Sequence, residues 1–310
     1  MTTTIQQKND PSTLTDVDSL NHARIDPSHC LADGLFKPLQ NGTRIETPLD
    51  VTYHFKNKYT FRWQHPTESL SIADQNLFLA ILRIASFADN TTRVSTNHPE
   101  HAMLAARNAL QMELDATQLD CLVIKATLRD LARRIGIQIS GPALTRIEKG
   151  LERLGTVTLS ISERGSDHTF WKARMFGIDK TEGTNRLIAI NPWLSKALVG
   201  KPFTFIDIDE QRALRLDAAK RMHVWLSAWL RPNETGTNTL EKLAKHVWGG
   251  NASGDQHIYR MKTVKKALVE ITQKTAWQCK VFTTEDSTSA RIKRPKLTHH
   301  QSVNEAEFEQ

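Results

Sequence analysis

One order of signals occurs twice in this chain and constrains its fold more than any other feature: a short helix, a turn, a longer amphipathic helix and two alternating strands. The second occurrence, residues 237–296, is the more highly charged. Leu240, Leu243, Val247 and Trp248 mark the apolar face of its first helix. Ile258, Met261, Val264, Ala267, Leu268 and Ile271 then recur at the spacing that gathers them on one side of a second helix. The opposite side carries Tyr259, Lys262, Thr263 and Lys266, flanked by Arg260 and Lys265, with His257 just ahead of the first turn. Residues 277–283 and 290–293 complete the unit as a wing. Across residues 257–296 ten Lys or Arg stand against three acids, a net +7 that equals the formal net charge of the whole chain. Such a surface suits phosphates and base edges, which makes DNA binding the expectation; the bland alternative is a solvated basic face.

The first occurrence runs through residues 127–178. Thr127 caps a helix through Leu128, Leu131, Ala132 and Ile135 that Gly136 stops, and Ser140 caps a second through Ala143, Leu144, Ile147, Leu151 and Leu154. Two strands follow, joined at Arg164-Gly165-Ser166. Helix, turn, helix and hairpin is the winged-helix order. The expected fold class is therefore α+β, two tandem winged-helix domains joined through a long helix. Arg146, Lys149 and Arg153 lie on one edge of the first unit's second helix, but Glu148 and Glu152 share that surface. Direct base reading there has two alternatives, an ion-paired solvated face or a surface for another protein.

The remaining segments place these units in a chain of 310 residues, long enough for two domains of ordinary size. Residues 1–20 are polar and read as a disordered lead. Residues 21–208 form the N-terminal domain. Within it, Val51, Tyr53 and Phe55, then Tyr59, Phe61 and Trp63, alternate in one phase and predict a hairpin over residues 49–63. Ser71 caps a helix apolar almost all round, residues 90–120 read as an insertion, and Pro192 begins a short helix between two strands. Asp209 starts a long helix that ends before Pro232 and opens the C-terminal domain, residues 209–297. Lys274, Arg291, Lys293 and Arg294 extend its basic surface as candidate phosphate anchors. Residues 298–310 read as a disordered acidic tail.

Several functions are disfavoured. No apolar run approaches a membrane span and no secretory signal opens the chain, so a cytoplasmic location is expected. Cys30, Cys121 and Cys279 show no CxxC spacing, His29 beside Cys30 has no matching ligand pair, and neither a disulfide framework nor a metal site is indicated. There is no GxxxxGK[ST] loop to cradle nucleotide phosphates and no His-x-His cluster of a strand-nicking enzyme. No cofactor and no catalysis are expected.

Five stretches in order carry a resemblance: R-I-D-P-S-H-C-L-A-D-G-L-F from Arg24, L-D-V-T-Y from Leu49, I-A-I-N-P from Ile188, G-T-N-T-L-E-K-L-A-K-H-V-W from Gly236, and S-G-D-Q-H-I-Y-R-M-K-T-V-K-K-A-L from Ser253. They resemble the RepC initiators of IncQ-type broad-host-range plasmids. The resemblance implies a bacterial, plasmid-encoded protein that binds direct repeats (iterons) in double-stranded DNA at an origin and helps open adjacent AT-rich DNA. It also implies a separate plasmid helicase and primase as partners, and self-association through the N-terminal domain. The alternative is a winged-helix transcription regulator.

Overall fold

The computed structural model describes residues 21–39, 46–180, 185–200, 202–285 and 287–296. The expected lead and the 298–310 tail lie outside the described residues. β1 (His22–Ile25) runs into α1 (Pro27–Leu31), whose start is set by Asp26 accepting from the Ser28 amide and by Pro27 at the first helical position. β2 (Phe36–Lys37) follows. β3 (Leu49–Phe55) and β4 (Tyr59–His65) form the predicted hairpin, with Val51 opposite Trp63, Tyr53 opposite Phe61 and Phe55 opposite Tyr59. β5 (Leu70–Ser71) pairs in parallel with β2 and leads to α2 (Ile72–Ala85), opened by a reciprocal capping box between Ser71 and Asp74. Apolar nearly all round, α2 sits in the larger core, where Leu77, Phe78, Ile81 and Leu82 are buried.

The 90–120 stretch contributes β6 (Thr91–Val94), α3 (His101–Asn108) and β7 (Glu113–Leu114). It has a small core of its own, in which Val94, Ala106 and Leu110 meet Cys121, Val123, Leu187 and Ala189. β8 (Cys121–Thr127), α4 (Leu128–Ile135), α5 (Gly141–Thr156), β9 (Thr158–Glu163) and β10 (Thr169–Arg174) then form the first helix–helix–hairpin unit. Thr127 and Ser140 cap the two helices and Gly136 ends α4 in the left-handed region. Its hairpin does not stand free. β9 pairs with β4, giving a five-stranded sheet in the order β3-β4-β9-β10-β7. β8 instead joins β11 (Phe176–Asp179) and β12 (Asn185–Ile190) in a second sheet, order β11-β12-β8-β6. α6 (Pro192–Val199) follows, and β13 (Thr204–Asp207) returns to pair with β1.

The long helix expected from Asp209 is broken into two. α7 (Ile208–Ala213) stops, Leu214 and Leu216 are extended, and α8 (Asp217–Trp229) starts anew. No Pro or Gly marks the break. Its cause is tertiary: Glu270, 55 and 54 residues further along the chain, accepts from the Arg215 and Leu216 amides at 2.7 and 3.0 Å, taking donors a continuous helix would have bonded internally. β14 (Thr235–Thr239), α9 (Leu240–Trp248), α10 (Gly254–Lys274), β15 (Gln278–Thr283) and β16 (Thr288–Lys293) complete the chain. Their sheet has the order β14-β16-β15, and α8, α9 and α10 enclose with it a second core that includes Leu226, Leu243, Val247, Leu268 and Ile292.

Residues 26–37 strap the two cores together. The Arg221 guanidinium on α8 is fully buried and donates to the carbonyls of Cys30 and Ala32, both at 2.8 Å. Asp33 lies 2.7 Å from His246, whose ring stacks on Trp225 at 3.9 Å. Gly34 and Gly249 meet backbone to backbone. Both have left-handed φ, +81° and +77°, and a Cβ on Gly249 would fall 2.4 Å from the Gly34 Cα. Gly249→Ala is accordingly expected to cost about 2–4 kcal/mol, the left-handed penalty plus the clash. Urea unfolding checks this, and a loss under about 1 kcal/mol would contradict the contact.

Candidate nucleic-acid interface

α10 starts at Gly254, earlier than its apolar repeat, so His257 lies within the first turn and not ahead of it. Val264, Ala267, Leu268 and Ile271 are buried and Met261 partly so. Ile258 is a correction to the periodic reading: it is 65% exposed, because the first turns overhang the core. Tyr259 beside it is 63% exposed. The outward ridge of α10 therefore presents Ile258, Tyr259, Lys262 and Lys266, with Lys265 and Lys274 also in solvent. Two large apolar side chains held in water beside lysines form a surface suited to a partner with both apolar and anionic groups.

The other expected contacts divide. Thr263 bonds back to the Tyr259 carbonyl at 2.8 Å, which commits its hydroxyl to the helix. Arg260 is half-buried: it donates to the Gly250 carbonyl at 2.7 Å and lies 5.3 Å over the Trp248 ring, so it braces the α9–α10 turn, and burial pulls its pKa down. Arg291 and Lys293 project from β16 into solvent. Lys280, absent from the candidate set, stands directly across from Arg291 on β15 and is exposed. The period-two alternation of the strand carried that signal.

Arg294 corrects the sequence reading outright. It is 6% exposed, donating to the carbonyls of Ser227, Leu230 (2.8 Å) and Phe205 (2.9 Å), and burial lowers its pKa. A guanidinium so engaged is a structural anchor, not a phosphate contact. Arg153 is a second correction. Its side chain, 16% exposed, grips the buried Asp74 at 2.8 and 3.0 Å and lies 3.8 Å from Glu68. On the same helix Arg146 and Lys149 are exposed. Glu148 is bonded by Arg186 at 3.0 Å and Lys180 at 3.3 Å, and Glu152 by Lys180 at 3.1 Å. The acids that share the face of α5 thus have cations of their own.

Behind the basic surface, Glu210 on α7 joins the two halves. His223 Nε2 lies 2.7 Å from it, Trp277 Nε1 donates at 3.0 Å and the Ala276 amide at 3.1 Å. Burial pushes its pKa up, but the bonds from His223, Ala276 and Trp277 outweigh that and hold it down at about 2, against an ordinary 4.5. A depressed carboxyl stabilises the fold above its unfolded pKa and loses that contribution as pH falls. Stability is expected to drop by about 3 kcal/mol on acidification from pH 4.5 to 2 through this group. Denaturant titrations of Glu210→Gln should show a flatter profile over that window; an unchanged one would remove the assignment.

Among the described residues no cluster of His, Cys, Asp and Glu can hold a metal ion, and no helix is long and apolar enough to cross a membrane. The cysteines are free thiols, with burial pushing Cys121 and Cys279 up to about 11.

The family model for replication protein C (RepC) matches residues 17–296. This chain belongs to that family. The match spans both cores of the chain, from just before β1 to just after β16. Its mixed α/β fold is similar to that of domains 2 and 3 of RctB. One crystal structure of selenomethionine derivatives of those domains gives a TM-score of 0.56 at 9% identity, covering 87% of this chain and 98% of that one. A second crystal structure of domains 2–3 gives 0.51 at 8% identity, covering 87% and 97%. No curated protein sequence matches the chain.

Proposed function

We propose that this RepC-family protein is a plasmid replication initiator that binds direct repeats in double-stranded DNA at an origin. The exposed ridge of α10, with Tyr259, Lys262 and Lys266 beside the cations of β15 and β16, carries the reading. The order α8, β14, α9, α10, β15, β16 with a β14-β16-β15 sheet fits a winged helix, in which α10 enters the major groove and the strand pair lies along a phosphate backbone. The N-terminal half is read as a modified winged helix whose hairpin is absorbed into a larger sheet; Arg146 and Lys149 on α5 add contacts to DNA. Opening of AT-rich DNA, recruitment of a separate helicase and primase, self-association through the N-terminal half and a cytoplasmic location belong to the same proposal. So does the absence of any catalytic chemistry of its own. Footprinting of the full chain on DNA flanking its gene tests it: protection of several tandem repeats beside an AT-rich segment is the expected result. Protection of one palindrome would favour a transcription regulator instead.

A further inference from the structure

The outer surface of α10 changes character along its length. From its third turn onward the helix exposes Lys262, Lys265, Lys266 and Lys274, the groups that a phosphate backbone attracts. Its first two turns, residues 254–261, contain one Lys or Arg, and that one, Arg260, is committed to the Gly250 carbonyl and the Trp248 ring. What this end presents to solvent is Asp255, Ile258 and Tyr259. A carboxylate repels phosphate but accepts from a cytosine amine, and Ile258, 65% exposed, has no polar atom with which to meet a phosphate. The first turns therefore suit base edges better than backbone.

Among base edges the chemistry narrows to one group. The major groove is lined by hydrogen-bond donors and acceptors, and its apolar feature is the C5 methyl of thymine. An isoleucine pressed against anything else there would strip water from polar atoms and give them no partner in return. Resting on the proposal that α10 enters the major groove, we infer that Ile258 reads a thymine methyl, so that the repeat carries a thymine at a fixed distance from the base pair that Lys262 addresses. Ile258 and Lys262 are four residues apart on one face of the helix. That is about 6 Å along its axis, or about two base-pair steps of roughly 3.4 Å. Val269, 52% exposed on the same face, is too far along to be the reader. It lies about 16 Å from Ile258, more than the roughly 12 Å width of a groove entered by the first turns of the helix. Tyr259 differs in its hydroxyl, which addresses oxygens that thymine and uracil share.

Uracil is thymine without the methyl, which makes the test direct. The full chain selects duplexes from a randomised DNA pool, and each thymine of the enriched sequence is then replaced singly by uracil. One replacement, within about two base pairs of the position at which Lys262→Ala relaxes discrimination, is expected to weaken binding about fourfold, the worth of one buried methyl. Ile258→Ala, at an exposed site that the core does not use, should bind the thymine duplex at least about fourfold more weakly and treat the uracil duplex the same, whereas Tyr259→Phe keeps the dependence on the methyl. An Ile258→Ala variant that still distinguishes thymine from uracil overturns the inference, and so does an enriched sequence on which no uracil replacement matters. Either result leaves sequence-specific DNA binding standing. Failure to enrich any sequence would instead remove the DNA-binding reading itself, and this inference with it.

Discussion

Replacing Arg221 by Ala is expected to lower the unfolding free energy by about 3–5 kcal/mol, the largest single effect on stability in this molecule. The guanidinium is fully buried and burial draws its pKa down to about 10, which still leaves it charged at neutral pH. Its compensation comes from the Cys30 and Ala32 carbonyls, at and just beyond the C-terminal end of α1, where the helix dipole favours a cation. Ala removes three things at once: the packed stem, the donors for two buried carbonyls, and the tie between α8 and the strap that carries Asp33 and Gly34. Arg221→Lys should recover only part of the loss, because one ammonium does not reproduce a planar fork reaching both oxygens. Urea unfolding measures both, and a loss under about 1 kcal/mol for the Ala variant would mean that apolar contacts alone hold the strap.

On DNA the largest effect is expected at Lys262. It stands one turn from Lys266 in the middle of the exposed ridge, one turn on from Ile258 and Tyr259, where in the proposed complex a side chain would reach base edges. Lys262→Ala should weaken binding to the cognate repeat by about 1–3 kcal/mol and relax discrimination against a scrambled repeat. Lys293→Ala, on the strand pair, should weaken binding to all DNA alike and reduce the salt slope by about one. Binding isotherms at several salt concentrations separate the two roles. Equal losses on cognate and scrambled DNA for Lys262→Ala would leave charge as its only contribution.

Much of the local structure was readable in the sequence because the forces that set it act over a few residues. Alternation at Val51, Tyr53 and Phe55, then Tyr59, Phe61 and Trp63, gave the hairpin and its one apolar face. Ser71, Thr127 and Ser140 announced helix starts through their own hydroxyls. What escaped was decided by partners distant in sequence. Glu270 splits the helix expected from Asp209, Asp74 removes Arg153 from the candidate surface, and three carbonyls remove Arg294. A cation that serves the interior looks, in one dimension, the same as one that stands in solvent. Ile258 failed for the opposite reason: its periodicity is right, but the helix outruns the core it packs on.

The end of β16 has a mechanical consequence. Along residues 291–294 the side chains alternate outward, inward, outward, inward: Arg291 and Lys293 stand in solvent, while Ile292 lies in the second core and Arg294 holds the Ser227, Leu230 and Phe205 carbonyls. A single peptide unit therefore separates an ammonium group in solvent from a guanidinium riveted to β13 of the other half. Tension applied at Lys293 passes through that peptide into β13, and from there through its pairing with β1 to the base of the strap. To swing the halves apart, a bound anion would have to draw Arg294 off its Phe205 contact across the seam. Load taken up at the strand pair is shared by the whole molecule within one residue of where it enters.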